Sequence, residues 1–248
     1  MTVSFIVTSY NYAKYIEETI SSIKNQTYKD FEIIVVDDAS KDSSVAILEN
    51  ISNIKLIKHD TNKGQLASIL TGLEYATGEF ISIIDSDDTI SADYTEILIK
   101  ALRENNVGLV TCNSSQDELL TPKTHSFGGW WWAPMSCGMI KRKYLTCLKD
   151  YINTNLWRIC PDKLIFNLVH LQANSMTISK NLVNKREHEA NAGKTKGRFF
   201  INLRNNFIIR HEALNLIKDN DLRGLIIKSY PHILNQFVNF CNRKSSKL

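Results

Sequence analysis

Acidic and hydroxyl-bearing residues follow three short apolar segments in the first part of the chain, and together they could bind a cation. The segments end in Thr8-Ser9-Tyr10-Asn11, in Asp37-Asp38 and in Asp85-Ser86-Asp87-Asp88. Asp and Ser are common in turns and at helix N-caps, so each cluster alone also has an ordinary explanation. If the segments are neighbouring parallel strands, however, at least four carboxylates crowd one edge of a sheet and repel one another. A divalent ion such as Mg²⁺ or Mn²⁺ relieves that repulsion and can bridge carboxylates to a phosphate group.

Sequence motifs for other kinds of ligand site are absent. Neither GxGxxG nor GxxxxGK[ST] occurs, so a dinucleotide-binding fold and a P-loop lose their main support. The five cysteines show neither CxxC spacing nor paired histidines, which argues against a zinc site and a disulfide framework. The N-terminus lacks the pattern of a signal peptide, and the chain has no apolar run of about 18 residues. We therefore expect a cytoplasmic protein with reduced cysteines.

The segments that carry the acidic residues alternate between two hydrophobic periods. Five short runs rich in Val and Ile are predicted strands: Val3–Val7, Phe31–Val36, Ile54–Ile57, Phe80–Ile84 and Val107–Thr111. Apolar residues at helical spacing predict four helices: Tyr12–Gln26 with Asn11 as its N-cap, Ser43–Ile51, Gln65–Ala76 and Ala92–Arg103. Strands and helices that alternate with short connections predict an α/β fold with a mainly parallel sheet. Such a sheet binds ligands beyond the carboxyl ends of its strands.

The rest of the chain is less regular. Residues 113–160 lose the alternation and contain the run Trp130-Trp131-Trp132. The predicted elements that follow are a short helix, a β-like stretch and two amphipathic helices: Asp162–Leu171, a segment through Val183, about Phe199–Lys218 and about Leu222–Asn242.

Several short motifs occur along the chain in a defined order: TSYN, VVDD, NKGQ, ATGE, DSDD and APMSCGMIKR. A lone DxD triplet is common, but this ordered set resembles the family-2 glycosyltransferases of the GT-A fold, including those that build bacterial polysaccharides and glycolipids. The match is dense over about residues 2–145, looser to Asn191 and absent from the tail. The resemblance implies a GT-A nucleotide-sugar-binding domain at 1–193, with a nucleotide-binding half at 1–112 and an acceptor half at 113–193. A basic helical extension at 194–248 would follow.

The resemblance assigns the nucleotide base to the ends of the first two strands. Thr8, Tyr10 and Asp38 would hold the base, which is usually uracil in this family. Tyr10 offers a stacking face, and the Asp38 carboxylate can accept the uracil N3–H. The ordinary alternatives are a packed loop aromatic for Tyr10 and a helix N-cap for Asp38.

The DSDD segment resembles the family's metal-binding motif. It implies that Asp87 ligates Mn²⁺ or Mg²⁺ directly and that Asp85 binds the ribose or water molecules on the metal. The segment KREHEAN resembles a later family motif, YRxHxxN, which implies that His188 touches the metal or the diphosphate. Lys185 stands where the family usually has tyrosine, and Ile69-Leu70 replaces a polar pair that often follows NxG.

Transfer with inversion at the sugar needs a general base that takes the proton of the acceptor hydroxyl. The family places an aspartate at the head of a helix after the APxSG-type segment, and in WRICPDKLIFNLV that residue is Asp162. Its ordinary role would be to cap the first helical turn. Three adjacent indoles cannot all face one core, so Trp131 and Trp132 are expected in the donor-sugar and acceptor pocket. The resemblance adds Ser136 and Gly138 to that pocket.

Two other functions fit some of the same residues. The segment from Ile83 to Thr89 also resembles the hhhhDxDxT pattern of haloacid-dehalogenase-type phosphotransferases, in which Asp85 would be the nucleophile. That function would leave TSYN and VVDD unexplained. A non-catalytic nucleotide-sugar binder would keep Asp38 and Asp87 but lack a working base.

Charge is divided unevenly along the chain. Lys and Arg number 30 against 26 Asp and Glu, and the net charge of +4 is too small to indicate nucleic acid as a partner. After Gly193 there are 11 basic and 3 acidic residues, which gives +8 for the tail and leaves −4 for residues 1–193. The tail is either a pair of solvated helices packed on the domain or a basic face for the inner, anionic face of a membrane. The expected partners are a nucleotide-sugar donor, most simply a UDP-sugar, and a glycan or lipid-linked acceptor.

Overall fold

The structure is a computed structural model that describes residues 2–114, 123–125, 133–151, 154–157, 161–186, 208–218, 223–224 and 227. Four parallel strands occupy the first part of the chain: β1 (Val3–Ser9), β2 (Phe31–Asp37), β3 (Lys55–Lys58) and β4 (Phe80–Asp85). Their spatial order is β3-β2-β1-β4, so their carboxyl ends lie side by side at one edge of the sheet. The predicted strands are therefore confirmed, and the three acidic and hydroxyl-bearing clusters share that edge.

Four helices connect these strands and follow them: α1 (Ile16–Lys24), α2 (Ser44–Glu49), α3 (Gln65–Tyr75) and α4 (Tyr94–Glu104). They form where apolar residues recur at intervals of three and four, because that spacing places the apolar side chains on one face. In α1 the buried residues are Ile16, Thr19, Ile20 and Ile23. β1 and β4 are buried almost throughout and β2 is buried from Ile33 onward, whereas β3 at the side of the sheet is partly exposed, so the core lies between these three strands and the helices that cover them.

The predicted N-cap of the first helix is wrong. α1 begins at Ile16 rather than at Tyr12, and Tyr15 occupies the N-cap position. Asn11 instead has a φ of 60°, and its side-chain oxygen accepts the backbone N–H of Lys41 at 2.7 Å. Asn tolerates this left-handed conformation because its short polar side chain can hydrogen-bond locally. Asn11 therefore shapes a loop at the sheet edge and does not cap a helix.

The second part of the sheet is mixed rather than parallel. Its strands are β5 (Thr89–Ile90), β6 (Leu109–Ser114), β7 (Lys123–His125), β8 (Gly138–Lys141) and β9 (Ser175–Asn184). β8 lies antiparallel between β4 and β6, whereas β9 runs parallel to β6 and antiparallel to β5 and β7. The intervening helices are three short 3-10 helices (Met135–Cys137, Arg142–Asp150 and Thr154–Trp157) and α5 (Asp162–His170). The α/β fold is confirmed, but the parallel arrangement is limited to β1–β4 and the β6–β9 pair.

Residues of the motif ATGE connect the amino ends of β1, β2 and β4 through hydrogen bonds. Glu32 accepts hydrogen bonds from the Ser4 hydroxyl at 2.6 Å and from the backbone N–H of Thr77 at 2.7 Å. At Gly78 a Cβ atom would lie 2.6 Å from the Ser4 nitrogen, so only glycine allows this close approach. This motif therefore stabilises the sheet at the edge opposite the acidic clusters.

A helix at 208–216 is the longest described part of the basic extension. Its residues Ile209 and Ala213 are buried. Burial, together with the charge of Glu212, raises the pKa of Tyr151 to about 12, so this helix lies near Tyr151. The described part of the first predicted tail helix is therefore helical and packed, whereas most of the second, Leu222–Asn242, lies outside the described residues. Within the part of the chain that the structure describes, no helix is long and apolar enough to cross a membrane.

Candidate active site

The loops after β1 and β4 form one side of the candidate site. Thr8 is nearly buried, and its carbonyl oxygen accepts the Ser86 hydroxyl at 2.5 Å, which ties the end of β1 to the DSDD segment. The backbone N–H of Asn11 donates to the Ser40 hydroxyl at 2.9 Å, which joins the β1 loop to the β2 loop. Tyr10 is 38% exposed between them, and an accessible ring at this edge suits the stacking role that the sequence predicts.

Asp38 organises the loop that carries the motif NKGQ. Its two oxygens accept the backbone N–H groups of Lys63 at 2.8 Å and Gly64 at 2.7 Å. Nδ1 of His59 lies 2.8 Å from Oδ1 of Asp38, and Nε2 of His59 lies 3.0 Å from the Thr71 hydroxyl. These contacts leave one acceptor position on Oδ2 of Asp38, which is 4% exposed. The sequence patterns did not indicate His59, whose partners come from elements far apart in the chain.

Asp85, the last residue of β4, is held from two sides. The side-chain amide of Gln65, the first residue of α3, donates to Oδ1 of Asp85 at 2.7 Å. The backbone N–H of Asp85 donates to the Ser136 hydroxyl at 3.0 Å. The first residue of a helix and a buried serine therefore fix where the DSDD segment leaves the sheet.

The candidate base lies within electrostatic reach of the DSDD segment. Burial raises the pKa of Asp85 well above its ordinary value, and the charges of Asp88, Asp87 and Asp162 raise it further. Asp162 is the first residue of α5 and is 8% exposed, so its carboxylate lies at the positive end of the helix dipole. The structure thus brings together residues that are far apart in the sequence.

Asp88 is the most enclosed carboxylate of the segment. Burial raises its pKa to about 6, and the charge of Asp87 adds to the rise. A hydrogen bond with Ser136, the charge of Lys185 and the backbone N–H of Arg186 act in the opposite direction. Oδ2 of Asp88 is buried and has no hydrogen-bond partner within the described part of the chain, which is costly for an ionised oxygen.

The acidic cluster suits a divalent cation. Among the described residues, the Asp88 carboxylate has a buried oxygen without a hydrogen-bond partner, and the carboxylates of Asp85 and Asp87 lie beside it. Such carboxylate oxygens are hard anionic donors of the kind that Mg²⁺ and Mn²⁺ prefer. In the ranges that the structure describes, no group of three or more Asp, Glu, His or Cys side chains is arranged so that it could hold a metal ion by itself. Magnesium usually takes one or two carboxylates and completes its shell with water and substrate phosphates. Asp87, which is partly exposed, is the carboxylate best placed to reach such a shared ion.

Three further residues lie at this edge to which the sequence assigned no role in the site. Burial and then the three DSDD carboxylates raise the pKa of Tyr12 well above its ordinary value, so its hydroxyl faces the cluster. Lys185 lowers the pKa values of Asp85 and Asp88 and therefore lies near both. Asn113, at the end of β6, is 1% exposed, and its amide has no hydrogen-bond partner among the described residues. Its position just after the fifth predicted strand, Val107–Thr111, is the sequence signal that indicates Asn113.

Ser136 and Gly138 support the site from inside the protein and do not line an open pocket. Ser136 is fully buried and contacts both Asp85 and Asp88. A Cβ atom at Gly138 would lie 2.4 Å from the ring of Phe166, so glycine is required for α5 to pack on β8. The other predicted site residues, Trp131, Trp132 and His188, lie outside the described residues.

Comparison with known proteins agrees with this geometry. Residues 4–159 match the family described as Glycosyl transferase family 2. A relative from Escherichia coli, "UDP-Glc:alpha-D-GlcNAc-diphosphoundecaprenol beta-1,3-glucosyltransferase WfgD", is 39% identical over 113 residues, which are 45% of this chain and 45% of that protein. The matched region covers only 54%, 36% and 44% of the length of the first three curated relatives.

Solved structures share the fold. Staphylococcus aureus TarS 1–349 in complex with UDP-GlcNAc superposes with a TM-score of 0.73 at 22% identity, over 97% of this chain and 73% of that one. The mannosyltransferase PcManGT from Pyrobaculum calidifontis, in complex with GDP-Man and Mn²⁺, has a TM-score of 0.62 at 21% identity, over 93% of this chain and 69% of that one. These two structures support the GT-A type of fold, and the matched residues show that the chain belongs to glycosyl transferase family 2.

Proposed function

We propose that this protein transfers a monosaccharide from a nucleotide sugar, most simply a UDP-sugar, to a hydroxyl of a glycan or lipid-linked acceptor. The observation that carries the proposal is that Asp162 lies close enough to Asp85 for its charge to raise the pKa of that carboxyl, at the edge of the sheet where Asp87 and Asp88 also lie. A group that can accept a proton thereby lies beside a cluster that can bind a metal ion. Those are the two functions that a single-step sugar transfer requires.

The donor would lie along the strand ends in the order of the sheet. The base is proposed to occupy the edge near Thr8, Tyr10 and Asp38, where a ring is exposed and one carboxylate acceptor position is left. The diphosphate would then lie at the end of β4, near Asp85 and Asp87. The TarS and PcManGT complexes contain nucleotide sugars, and the name of the Escherichia coli relative includes UDP-Glc, which supports a donor of this class.

Asp87 would bind a metal ion, Mn²⁺ or Mg²⁺, directly. The neighbouring carboxylates of Asp85 and Asp88 would add negative charge close to that ion. When bound, such an ion acts as a Lewis acid that stabilises negative charge on a departing diphosphate. Gln65 and Ser136 keep the acidic segment in place. His188 is a further proposed contact of the metal or the diphosphate.

Asp162 is proposed as the general base. Its carboxylate takes the proton from the acceptor hydroxyl while that oxygen attacks the anomeric carbon from the side opposite the diphosphate. The new carbon–oxygen bond forms as the bond to the diphosphate oxygen breaks, so one displacement inverts the anomeric configuration. Trp131 and Trp132 are proposed to pack against the sugar rings, since an indole face suits the apolar face of a sugar.

The proposal includes a lipid-linked acceptor and contact between the basic tail and a membrane. The name of the Escherichia coli relative includes a diphosphoundecaprenol acceptor, which supports a lipid-linked acceptor for this chain as well. We propose that residues 194–248, which carry a charge of +8, form an extension of the domain at 1–193 that contacts the anionic inner face of a membrane. We expect the protein to bind anionic vesicles. This binding should weaken with salt and disappear when the residues after Gly193 are deleted. Binding that ignores salt and lipid charge would contradict it.

The experiment that tests the proposed function is a panel of nucleotide sugars with Mn²⁺, scored by release of the nucleoside diphosphate without acceptor. Release from one or more UDP-sugars is expected. Release of phosphate from a simple phosphomonoester would instead favour the phosphotransferase with Asp85 as nucleophile. Tight UDP binding without turnover across the donor and acceptor panel would favour a non-catalytic binder.

A further inference from the structure

The exit of β9 passes directly beside the DSDD segment. Asn184 of β9 pairs with Thr89 of β5 in an antiparallel ladder. Because Thr89 follows Asp88 directly, this register brings the next residue along β9, Lys185, next to the acidic cluster. The backbone N–H of the following residue, Arg186, donates a hydrogen bond to Asp88. The strand pairing of Asn184 on one side and the hydrogen bond from the Arg186 backbone to the Asp88 carboxylate on the other therefore fix the chain around Lys185.

Arg186 anchors the same segment to α1. Its guanidinium carbon lies 5.1 Å from the centroid of the Tyr15 ring, and the group forms an ion pair with Glu18. The side chain of Arg186 is only 23% exposed, so the cation is held against the helix. Lys185 consequently projects from a fixed backbone and not from a loose tail.

The carboxylates of the cluster beside Lys185 come from two places in the fold, the end of β4 and the start of α5. Asp85 ends β4, Asp87 and Asp88 follow it, and Asp162 begins α5; each of these carboxylates raises the pKa of another member of the cluster or has its own pKa raised. Lys185 is the cation that opposes the rise at both Asp85 and Asp88. A lysine ammonium carries three donors and a compact charge, and both properties suit the oxygens of a phosphate group.

We propose that Lys185 is a donor-binding residue: its ammonium group balances the carboxylates in the free enzyme and contacts the diphosphate of the bound nucleotide sugar. This inference rests on the proposed function, since it names a contact of the same donor. The positive charge of Lys185 lies where the leaving diphosphate needs it.

Two ligands should respond to the loss of Lys185 in opposite directions. Without the ammonium group the cluster is more negative, so Mn²⁺ alone should bind more tightly. The diphosphate loses a charged donor, so UDP in saturating Mn²⁺ should bind more weakly. A residue that merely supported the fold would weaken both.

The test measures both affinities by calorimetry for the wild-type protein and for Lys185→Met, which keeps the length of the side chain and removes its charge. The expected result is Mn²⁺ affinity raised about threefold and UDP affinity lowered about tenfold. Lys185→Arg should restore most of the UDP affinity because it restores the charge. Lys180→Met is the matched control, since Lys180 also lies on β9 but pairs with the exposed Asp93 at 2.6 Å.

Weaker binding of both ligands by Lys185→Met, or UDP affinity equal to that of the wild type, would overturn the inference. A wild-type protein that binds no UDP in the presence of Mn²⁺ would instead overturn the proposed function, and this inference with it. The two failures are therefore distinguishable in the same titrations.

Discussion

Each acidic side chain at the candidate site has its own surroundings, and these indicate separate tasks. Asp88 is enclosed and bonded to Ser136, whereas Asp87 is partly exposed and can reach a shared ion. The Asp38 carboxylate accepts hydrogen bonds from two backbone N–H groups and thereby shapes a loop. Motif order could predict that these carboxylates converge, since they follow neighbouring strands. It could not predict Lys185, because its position depends on the register between β5 and β9 and not on any local pattern.

Replacing Asp162 with Asn should separate binding from chemistry. The amide keeps the shape of the side chain but cannot take the acceptor proton, so transfer should fall about 10²- to 10⁴-fold. UDP affinity should stay close to that of the wild type, because Asp162 is proposed to act on the acceptor. The measurements are the initial rate of transfer and the calorimetric Kd for UDP. Asp93→Asn, at the N-cap position of α4, serves as the control, since its partly exposed carboxylate pairs with Lys180, and an unchanged transfer rate in Asp162→Asn would remove Asp162 from the mechanism.

At the scale of elements, β1–β4 and the helices around them could be read from the sequence because their periodicity is strong. Runs of Val and Ile buried on both faces indicate parallel strands, and intervals of three and four indicate the helices that cover them. The antiparallel strand β8 was not predictable, since it has only four residues and its position depends on pairing with both β4 and β6. The same strand positions α5 through the contact of Gly138 with Phe166.

Gly138→Ala should destabilise the protein by about 1–3 kcal/mol, because the added methyl group would lie 2.4 Å from the Phe166 ring. Chemical denaturation measures the free energy of unfolding. Gly224→Ala is the matched control and should change stability little, since among the described residues no atom lies within 4 Å of the position of its added Cβ. Combining Gly138→Ala with Phe166→Leu should recover part of the loss. Equal stability of Gly138→Ala and the wild type would show that α5 does not depend on this contact.

At the scale of the whole molecule, the division of charge has two separate origins. Part of the −4 of residues 1–193 is the acidic edge, where carboxylates repel one another without a cation. The +8 of the tail belongs to a segment whose described helix packs near Tyr151 through a buried face. Composition predicts this division of charge. It does not predict which side of the tail helix is buried, because that depends on the surface it meets.

Stabilisation by Mn²⁺ should grow as the pH rises through about 6. The folded-state pKa values of Asp85 and Asp88 are raised above their ordinary range, that of Asp88 to about 6. Between the ordinary value and about 6 the folded state binds more protons than the unfolded state, so the metal-free protein loses stability as the pH rises. The metal needs the ionised carboxylates, so its effect is small near pH 5 and full above about pH 7.

At a metal concentration a hundredfold above the Kd, the gain is about 2.7 kcal/mol. For a chain of this size that corresponds to a rise in Tm of roughly 5–11 °C. Thermal melts with and without Mn²⁺ across this pH range measure the effect, and Asp87→Asn should show a smaller shift at every pH. A shift of equal size at pH 5 and pH 7.5 would mean that the metal does not bind to these carboxylates.

The most direct test of whether the acidic edge transfers a sugar from a nucleotide is to measure the release of UDP from a UDP-sugar. The wild-type protein is compared with Asp87→Asn, each with Mn²⁺ and with a chelator. The wild-type protein should release UDP only with the metal. Asp87→Asn should be slower by about a hundredfold or more, since it loses the ligand through which the diphosphate charge is stabilised. Equal release by the wild type with Mn²⁺ and with the chelator, or equal rates in wild type and variant, would contradict a metal-assisted transfer at this edge.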